Sequence, residues 1–298
     1  YFKQLREQGQ LKDLTLGEYG KWFRKHRSPG ESELYWAKEL LYGSGKHYLW
    51  HLDADARFLI DCGQGGSIGD LRPYTGKTPM ETGPEAPRKA IGSYPYLIQS
   101  QHRTGFPNHC HDGSRTTAMV TCNGQTVDLC SHKLRCLFTS RGPEGTTFTL
   151  EKADLDFGDG IRARFATTYH FPGKGSLRMD RKIESEHDLE FTVTEYVKAC
   201  WGFTEYPEPL EEVSLHAGNQ SLKYAYRGRT LEGIFSSLRA EIPPVRTILE
   251  LAAGDGKEPV SARASEGHLF NPYFTLELTY KVRPGNRLST WIHLKAID

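Results

Sequence analysis

From Leu189 to Trp201 every odd position is apolar except one: Leu189, Phe191, Val193, Val197, Ala199 and Trp201 share a strand face with Glu195. The same period-2 pattern recurs along the chain. Ile161, Ala163, Phe165, Thr167, Tyr169 and Phe171 alternate with Arg162, Arg164, Thr168 and His170. Phe274, Leu276, Leu278, Tyr280 and Val282 alternate with Thr275, Glu277, Thr279 and Lys281. Such runs, bounded by Gly, Pro, Asn and Asp, predict half-buried antiparallel strands. About fifteen candidate strands follow Lys46, which favours two large packed sheets over a small barrel. No repeat period is visible.

Helical pattern is confined to the first forty or so residues. Tyr1 to Gln8 forms one short helix. Thr15-Leu16-Gly17-Glu18 is a capping box that opens a second, carrying Tyr19, Trp22 and Phe23, and Arg27-Ser28-Pro29-Gly30 stops it. Glu31 to Tyr42 reads as a third helix ending at Gly43 or, through Leu34-Tyr35-Trp36, as the start of a strand. The predicted class is therefore mainly β: a large antiparallel sandwich over residues 45–298, preceded by a helical segment over 1–44. Within the sandwich region the proline- and glycine-rich stretch Pro73 to Asn108 can be neither a central strand nor a long helix. Tyr94, Tyr96 and Phe106 suit it to an ordered cover over a site.

Composition narrows the function classes. Among 298 residues, 38 Lys and Arg balance 37 Asp and Glu, so no global charge favours nucleic acid or an anionic membrane. No apolar run approaches the ~18 residues that span a bilayer, which predicts a soluble chain. The chain begins at Tyr1, without a signal pattern, and reads as a cut from something longer. Its six cysteines include no C-x-x-C pair, which argues against a disulfide scaffold or a common structural zinc site. The sequon Asn219-Gln220-Ser221 says little without a secretory context, so the compartment stays open.

Two places invite chemistry. Glu195 sits on a face otherwise removed from water, so its carboxylate must be paired, protonated or exposed in a concave site. An arginine-paired or rim-exposed glutamate is the reading that structural ion pairs favour. The densest polar cluster is His102 to Arg115, where His102, Arg103, His109, His111, Asp112 and Arg115 combine groups that carry protons with groups that grip hydroxyls or carboxylates. The bland alternative is a hydrogen-bonded surface loop. His109 and His111 with Asp112 or Cys110 have alternate spacing suited to a metal, but no other motif completes the set, and neither metal nor cofactor is called for. No G-x-S-x-G elbow is present. Gly63-Gln64-Gly65-Gly66-Ser67 lies between strands, without the helix N-terminus that would cradle a phosphate.

Arg57-Phe58-Leu59-Ile60-Asp61 and Gly65-Gly66-Ser67-Ile68-Gly69-Asp70-Leu71 resemble the opening strands of galactose mutarotase-like β-supersandwich domains. Gly175 to Ile183, followed by Leu189 to Gly202, is similar to that class's paired central strands. The resemblance covers roughly residues 45 to 298 and rests on pattern. It implies a sugar-facing concave sheet in which Glu195, Trp201 and the aromatic loop contact a glycan. Residues 1 to 30, with Glu18-Tyr19-Gly20-Lys21-Trp22-Phe23, resemble the last helix of a (β/α) barrel of the polysaccharide-deacetylase or glycoside-hydrolase sort. That implies a carbohydrate-binding or supporting domain of a larger glycan-processing enzyme whose catalytic barrel lies upstream. The sequence departs from aldose mutarotases in lacking their local pairing of catalytic histidine and glutamate. The alternatives are a self-sufficient sugar epimerase, lyase or hydrolase, with Glu195 as base and His111 or His102 as acid, and a structural interaction module. In the first two, His102, Arg103, His109, Asp112, Arg115 and Trp201 hold the sugar.

Overall fold

The computed structural model describes residues 1–26, 32–38, 47–74, 96–99, 114–200, 213–225, 227–254, 258–267 and 273–297. The chain divides into two compact units, Tyr1–Glu31 and Ser32–Asp298. The first holds α1 (Phe2–Glu7) and α2 (Leu16–His26). Its capping box forms reciprocally: the Thr15 N–H donates to the Glu18 carboxylate at 2.8 Å, and the Glu18 N–H donates to the Thr15 hydroxyl at 3.2 Å. That backbone bond holds the Glu18 carboxyl below its usual range. Along α2, Tyr19 stacks on Trp22 and Trp22 on His26, at 5.9 and 5.0 Å between centroids.

Three antiparallel sheets build the second unit. The first is a five-stranded meander of β1 (Glu33–Lys38), β2 (His47–Leu52), β3 (Ala56–Asp61), β4 (Ser67–Pro73) and β5 (Ile98–Gln99). The segment open to either helix or strand is thus a strand at 33–38, paired in full register with β2. Next along the chain come β6 (Arg115–Cys122), β7 (Gln125–Asp128), β8 (Cys136–Gly142), β9 (Gly145–Leu150), β10 (Ala153–Asp156), β11 (Arg162–Gly173), β12 (Ser176–Glu184) and β13 (Phe191–Ala199). They are followed by β14 (Ser214–Ala217), β15 (Gln220–Lys223), β16 (Thr230–Gly233), β17 (Ser237–Ile242), β18 (Thr247–Ala253), β19 (Ser261–Glu266), β20 (Phe274–Val282) and β21 (Arg287–Ala296). A six-stranded sheet runs β16-β19-β20-β13-β6-β7. The ten-stranded sheet runs β15-β14-β17-β18-β21-β12-β11-β9-β8, with β10 paired to β11.

Burial follows the sequence alternation residue by residue. Along β13, Phe191, Val193, Val197 and Ala199 are buried; along β12, so are Leu177, Met179 and Ile183. These faces close on one another to form the core between the two larger sheets. A fully buried Phe or Leu contributes ~1.5–3 kcal/mol here. The first sheet joins through Phe171 of β11, whose ring lies 4.1 Å from His51 and 5.2 Å from Phe58. The β3–β4 turn is pinned at Gly65, whose φ is +64° and whose N–H donates to the His132 carbonyl at 2.7 Å. A Cβ there would meet the Leu129 carbonyl oxygen at 1.9 Å, so the close approach demands glycine. Among the described residues no helix is long and apolar enough to cross a membrane.

Candidate functional site

Glu195 lies midway along β13 on the core side and is 1% exposed. Arg181 of β12 reaches it from the facing sheet: Nε donates to Oε1 at 2.9 Å and Nη2 to Oε2 at 3.1 Å. Arg181 Nη1 also donates to the Thr167 hydroxyl at 2.8 Å, and the guanidinium lies 5.6 Å from the Tyr169 ring centroid. Burial alone would favour loss of its proton, but Glu195 and Tyr169 hold the guanidinium firmly charged. Tyr169 is itself pushed up to about 12 by burial. Both oxygens of Glu195 are therefore engaged in a dry fork-to-fork pair. This is the arginine-paired form of the glutamate rather than a carboxylate facing a concave site.

Of the other residues singled out from the sequence, His102, Arg103, His109, His111, Asp112 and Trp201 lie outside the described residues. Arg115 lies within them, opening β6, and its Nη2 donates to Asp128 Oδ2 at 3.2 Å. The same carboxylate accepts from the Thr117 hydroxyl at 2.6 Å and the Cys130 N–H at 2.9 Å. Arg115 and Thr117 both belong to the outer face of the six-stranded sheet, the face turned away from Glu195.

Register assembles that outer face into two transverse rows. In one, Arg263 of β19 stands opposite Glu277 of β20, Glu277 opposite Tyr196 of β13, and Tyr196 opposite Thr117. In the next, Ser265 stands opposite Thr275, Thr275 opposite Lys198, and Lys198 opposite Arg115. Side chains directly opposed in this way have Cβ atoms ~5 Å apart. Glu277 and Tyr196 are both half-buried. Burial pushes the Glu277 carboxyl above its usual range, with Arg263 and a 3.5 Å contact to the Thr275 hydroxyl offsetting only part of the effect. Burial pushes the Tyr196 phenol up to about 12, and the neighbouring Glu277 adds to it.

The end of this sheet where β13 finishes and β20 begins carries further polar and aromatic groups. The Lys198 ammonium sits 4.3 Å over the Tyr273 ring, and Tyr273 packs against buried Tyr96 and Cys200. Tyr96 lies 6.0 Å from the Arg72 guanidinium, which shares Asp70 with Arg57. Closing β19, the buried Glu266 accepts from the backbone N–H groups of Ala225, Arg227 and Arg229 and, at 2.8 Å, from Arg229 Nε. Burial works to raise its pKa, yet the Arg229 and backbone donors together hold the carboxyl below its usual range. Among the described residues no cluster of three or more His, Cys, Asp or Glu can hold a metal ion.

Chemically, the outer face sets a carboxyl raised above its usual range opposite a phenol held neutral, with the cations Arg263, Lys198 and Arg115 and the Tyr273 ring along the same rows. Sequence reasoning missed Tyr196, Glu277, Lys198 and Arg263 because polar residues at outward positions are the norm for a half-buried strand. The signal lay in register, which sets Glu277 beside Tyr196.

The described strands form a galactose mutarotase-like β-sandwich. No protein-family model matches the sequence, and neither does any curated protein. Solved structures do match. A galactose mutarotase-like protein from Clostridium acetobutylicum superposes with a TM-score of 0.58 at 10% identity, over 88% of this chain and 98% of its own. An aldose 1-epimerase, described as putative, from Klebsiella pneumoniae gives 0.58 at 9%, over 89% and 84%. The 4-alpha-glucanotransferase of Thermococcus litoralis gives 0.51 at 8%, over 90% of this chain but 40% of that longer enzyme. At these identities the likeness is one of fold.

Proposed function

We propose that this chain is a sugar epimerase that interconverts the anomers of an aldose on the outer face of the six-stranded sheet. The observation that carries the reading is the cross-strand pair Glu277 and Tyr196: a carboxyl that burial raises above its usual range, directly opposite a phenol whose proton burial holds in place. Glu277 takes the proton from O1 as the C1–O5 bond breaks, and Tyr196 delivers one to O5. A half-turn about C1–C2 and reclosure with the proton movements reversed yield the other anomer. Atoms and charge balance without a co-reactant. Arg263, Lys198 and Arg115 orient ring hydroxyls, and Tyr273 offers an aromatic face. Glu195, locked to Arg181, is structural in this reading.

The test is proton NMR exchange between the anomers of galactose and of glucose. Glu277→Gln is expected to lower kcat by about 10²-fold or more with little change in KM, the size general acid–base catalysis supplies. Exchange no faster than the spontaneous rate would overturn the reading. A second reading, a sugar-binding domain of a larger glycan-processing enzyme, is supported by the likeness to the glucanotransferase, of which this fold occupies 40%. Binding without anomer exchange is its signature.

A further inference from the structure

The outer face of the ten-stranded sheet, on the other side of the sandwich, holds an arrangement that anomer exchange does not use. On β12 and β21, Lys182 stands directly opposite Arg287. Like charges so placed repel, and neither neighbouring strand neutralises them in full. Arg287 is exposed and has no ion-pair partner among the described residues. Lys182 lies 3.5 Å from Glu184, which is also shared by Lys152 at 2.7 Å and Arg164 at 3.7 Å. With Arg178, five cations face three carboxylates, Glu184, Asp180 and Asp154, the last directly opposite Arg164 and away from the Lys182–Arg287 pair. Beyond Arg164 the surface turns acidic at Asp154, Asp156 and Glu186, which closes the patch on that side. Lys182 and Arg287 line a concavity of about 350 Å³, together with Thr168, His170, Arg178 and Asp180.

Along the same two strands the character changes from cationic to mixed polar and aromatic. Asp180 is fixed by His170 Nε2 at 2.8 Å, by the Ser289 hydroxyl at 2.7 Å and by Arg178 Nη2 at 3.2 Å; His170 Nδ1 is in turn 3.0 Å from the Thr147 hydroxyl. The next row pairs Arg178 with Trp291, the guanidinium 5.7 Å from the indole centroid and His293 stacked beside it at 5.2 Å. Opposite Trp291 on β18 stands Ala252, too small to cover the ring's flank. Arg287 and Trp291 are four positions apart along β21, a span of ~13 Å, which suits a short oligosaccharide.

We propose that this face is a second saccharide site, selective for acidic sugars: a carboxylate or sulfate group relieves the Lys182–Arg287 repulsion, sugar hydroxyls accept from Arg178, which Asp180 holds in place, and a ring packs on Trp291. It stands apart from the epimerase reading, because it uses another face and other residues. Calorimetric titration of the chain with trigalacturonate, galactotriose and sodium sulfate tests it. Trigalacturonate is expected to bind, to weaken as salt rises, and to lose at least tenfold in affinity in Arg287→Glu, while anomer exchange in that variant is unchanged. Lys182→Gln, with its melting temperature checked, serves if Arg287→Glu does not fold. Absence of trigalacturonate binding, equal affinity for galactotriose, sulfate binding as tightly as trigalacturonate (an adventitious ion only), or indifference to both substitutions would each overturn it.

Discussion

The Arg181–Glu195 pair sits in the core with side-chain exposures of 3% and 2%, so its two halves should be separable by experiment from any role in turnover. Replacing Glu195 by Leu keeps the volume but leaves a buried guanidinium with no counter-charge, facing the Thr167 hydroxyl, the Met179 sulfur and the Phe165 and Tyr169 rings. The attraction lost is of the order of 4 kcal/mol for unit charges ~4 Å apart at an effective dielectric constant of 20. It agrees with the ~3–5 kcal/mol typical of a buried pair broken on one side. In a unit of this size each kcal/mol moves the melting temperature by ~2–4 °C, so Glu195→Leu should melt roughly 6–20 °C lower. The double variant Glu195→Leu/Arg181→Met removes both charges. It should recover most of that loss or exceed wild-type stability, because desolvation of two ions is avoided. Urea unfolding of the four members of the cycle, read beside anomer exchange, gives the coupling directly. If Glu195→Leu stays within ~1 kcal/mol of wild type while Glu195→Gln abolishes turnover, the pair is not a clamp and Glu195 carries a proton in the reaction.

Glu266 yields a pH prediction with a definite sign. Its folded pKa lies below the ordinary 4.5, so its contribution is present above that value and is lost as pH falls through the lower folded one. Urea midpoints of Glu266→Gln should therefore fall less steeply than those of wild type below pH 4.5, and parallel curves would refute the assignment. Gly65→Ala meets both a left-handed φ and a carbonyl oxygen at 1.9 Å, and should cost about 3 kcal/mol or more in thermal unfolding. Gly124→Ala, with a φ of +77° but nothing within 4 Å, should cost only ~1–2 kcal/mol, so equal losses at the two sites would show that the close approach at Gly65 is not what matters.

Much of the β architecture was legible because period-2 alternation survives wherever one sheet face is buried. β13 and β20 sit within the runs that predict them, β11 follows its run and continues to Gly173, and the capping box sets the start of α2. The 33–38 segment was ambiguous since its exposed Tyr35 and Trp36 fit an amphipathic helix and an edge strand equally, and only pairing with β2 decides. The partner of Glu195 was also within reach of the sequence. Leu177, Met179, Arg181 and Ile183 form a second apolar face with a single charged exception, opposite in sign to the first. Two such exceptions on neighbouring strands imply one another, because neither can be buried alone.

That symmetry also explains why the break in alternation was a poor guide to function. A charge on the core face survives only if the fold satisfies it internally, and satisfaction by a bidentate arginine consumes the lone pairs a substrate would need. Groups free to exchange protons with a ligand must instead lie where burial is partial, on the polar face of the same strand. Tyr196, one residue beyond Glu195, points that way, and its cross-strand neighbour Glu277 belongs to a strand some eighty residues later in the chain. Alternation shows which face a residue takes, whereas a site on a sheet is written across strands, in the register. The Glu277–Tyr196 pair and the opposed Lys182 and Arg287 each join segments about eighty residues or more apart in the chain, so both exist only in the folded register.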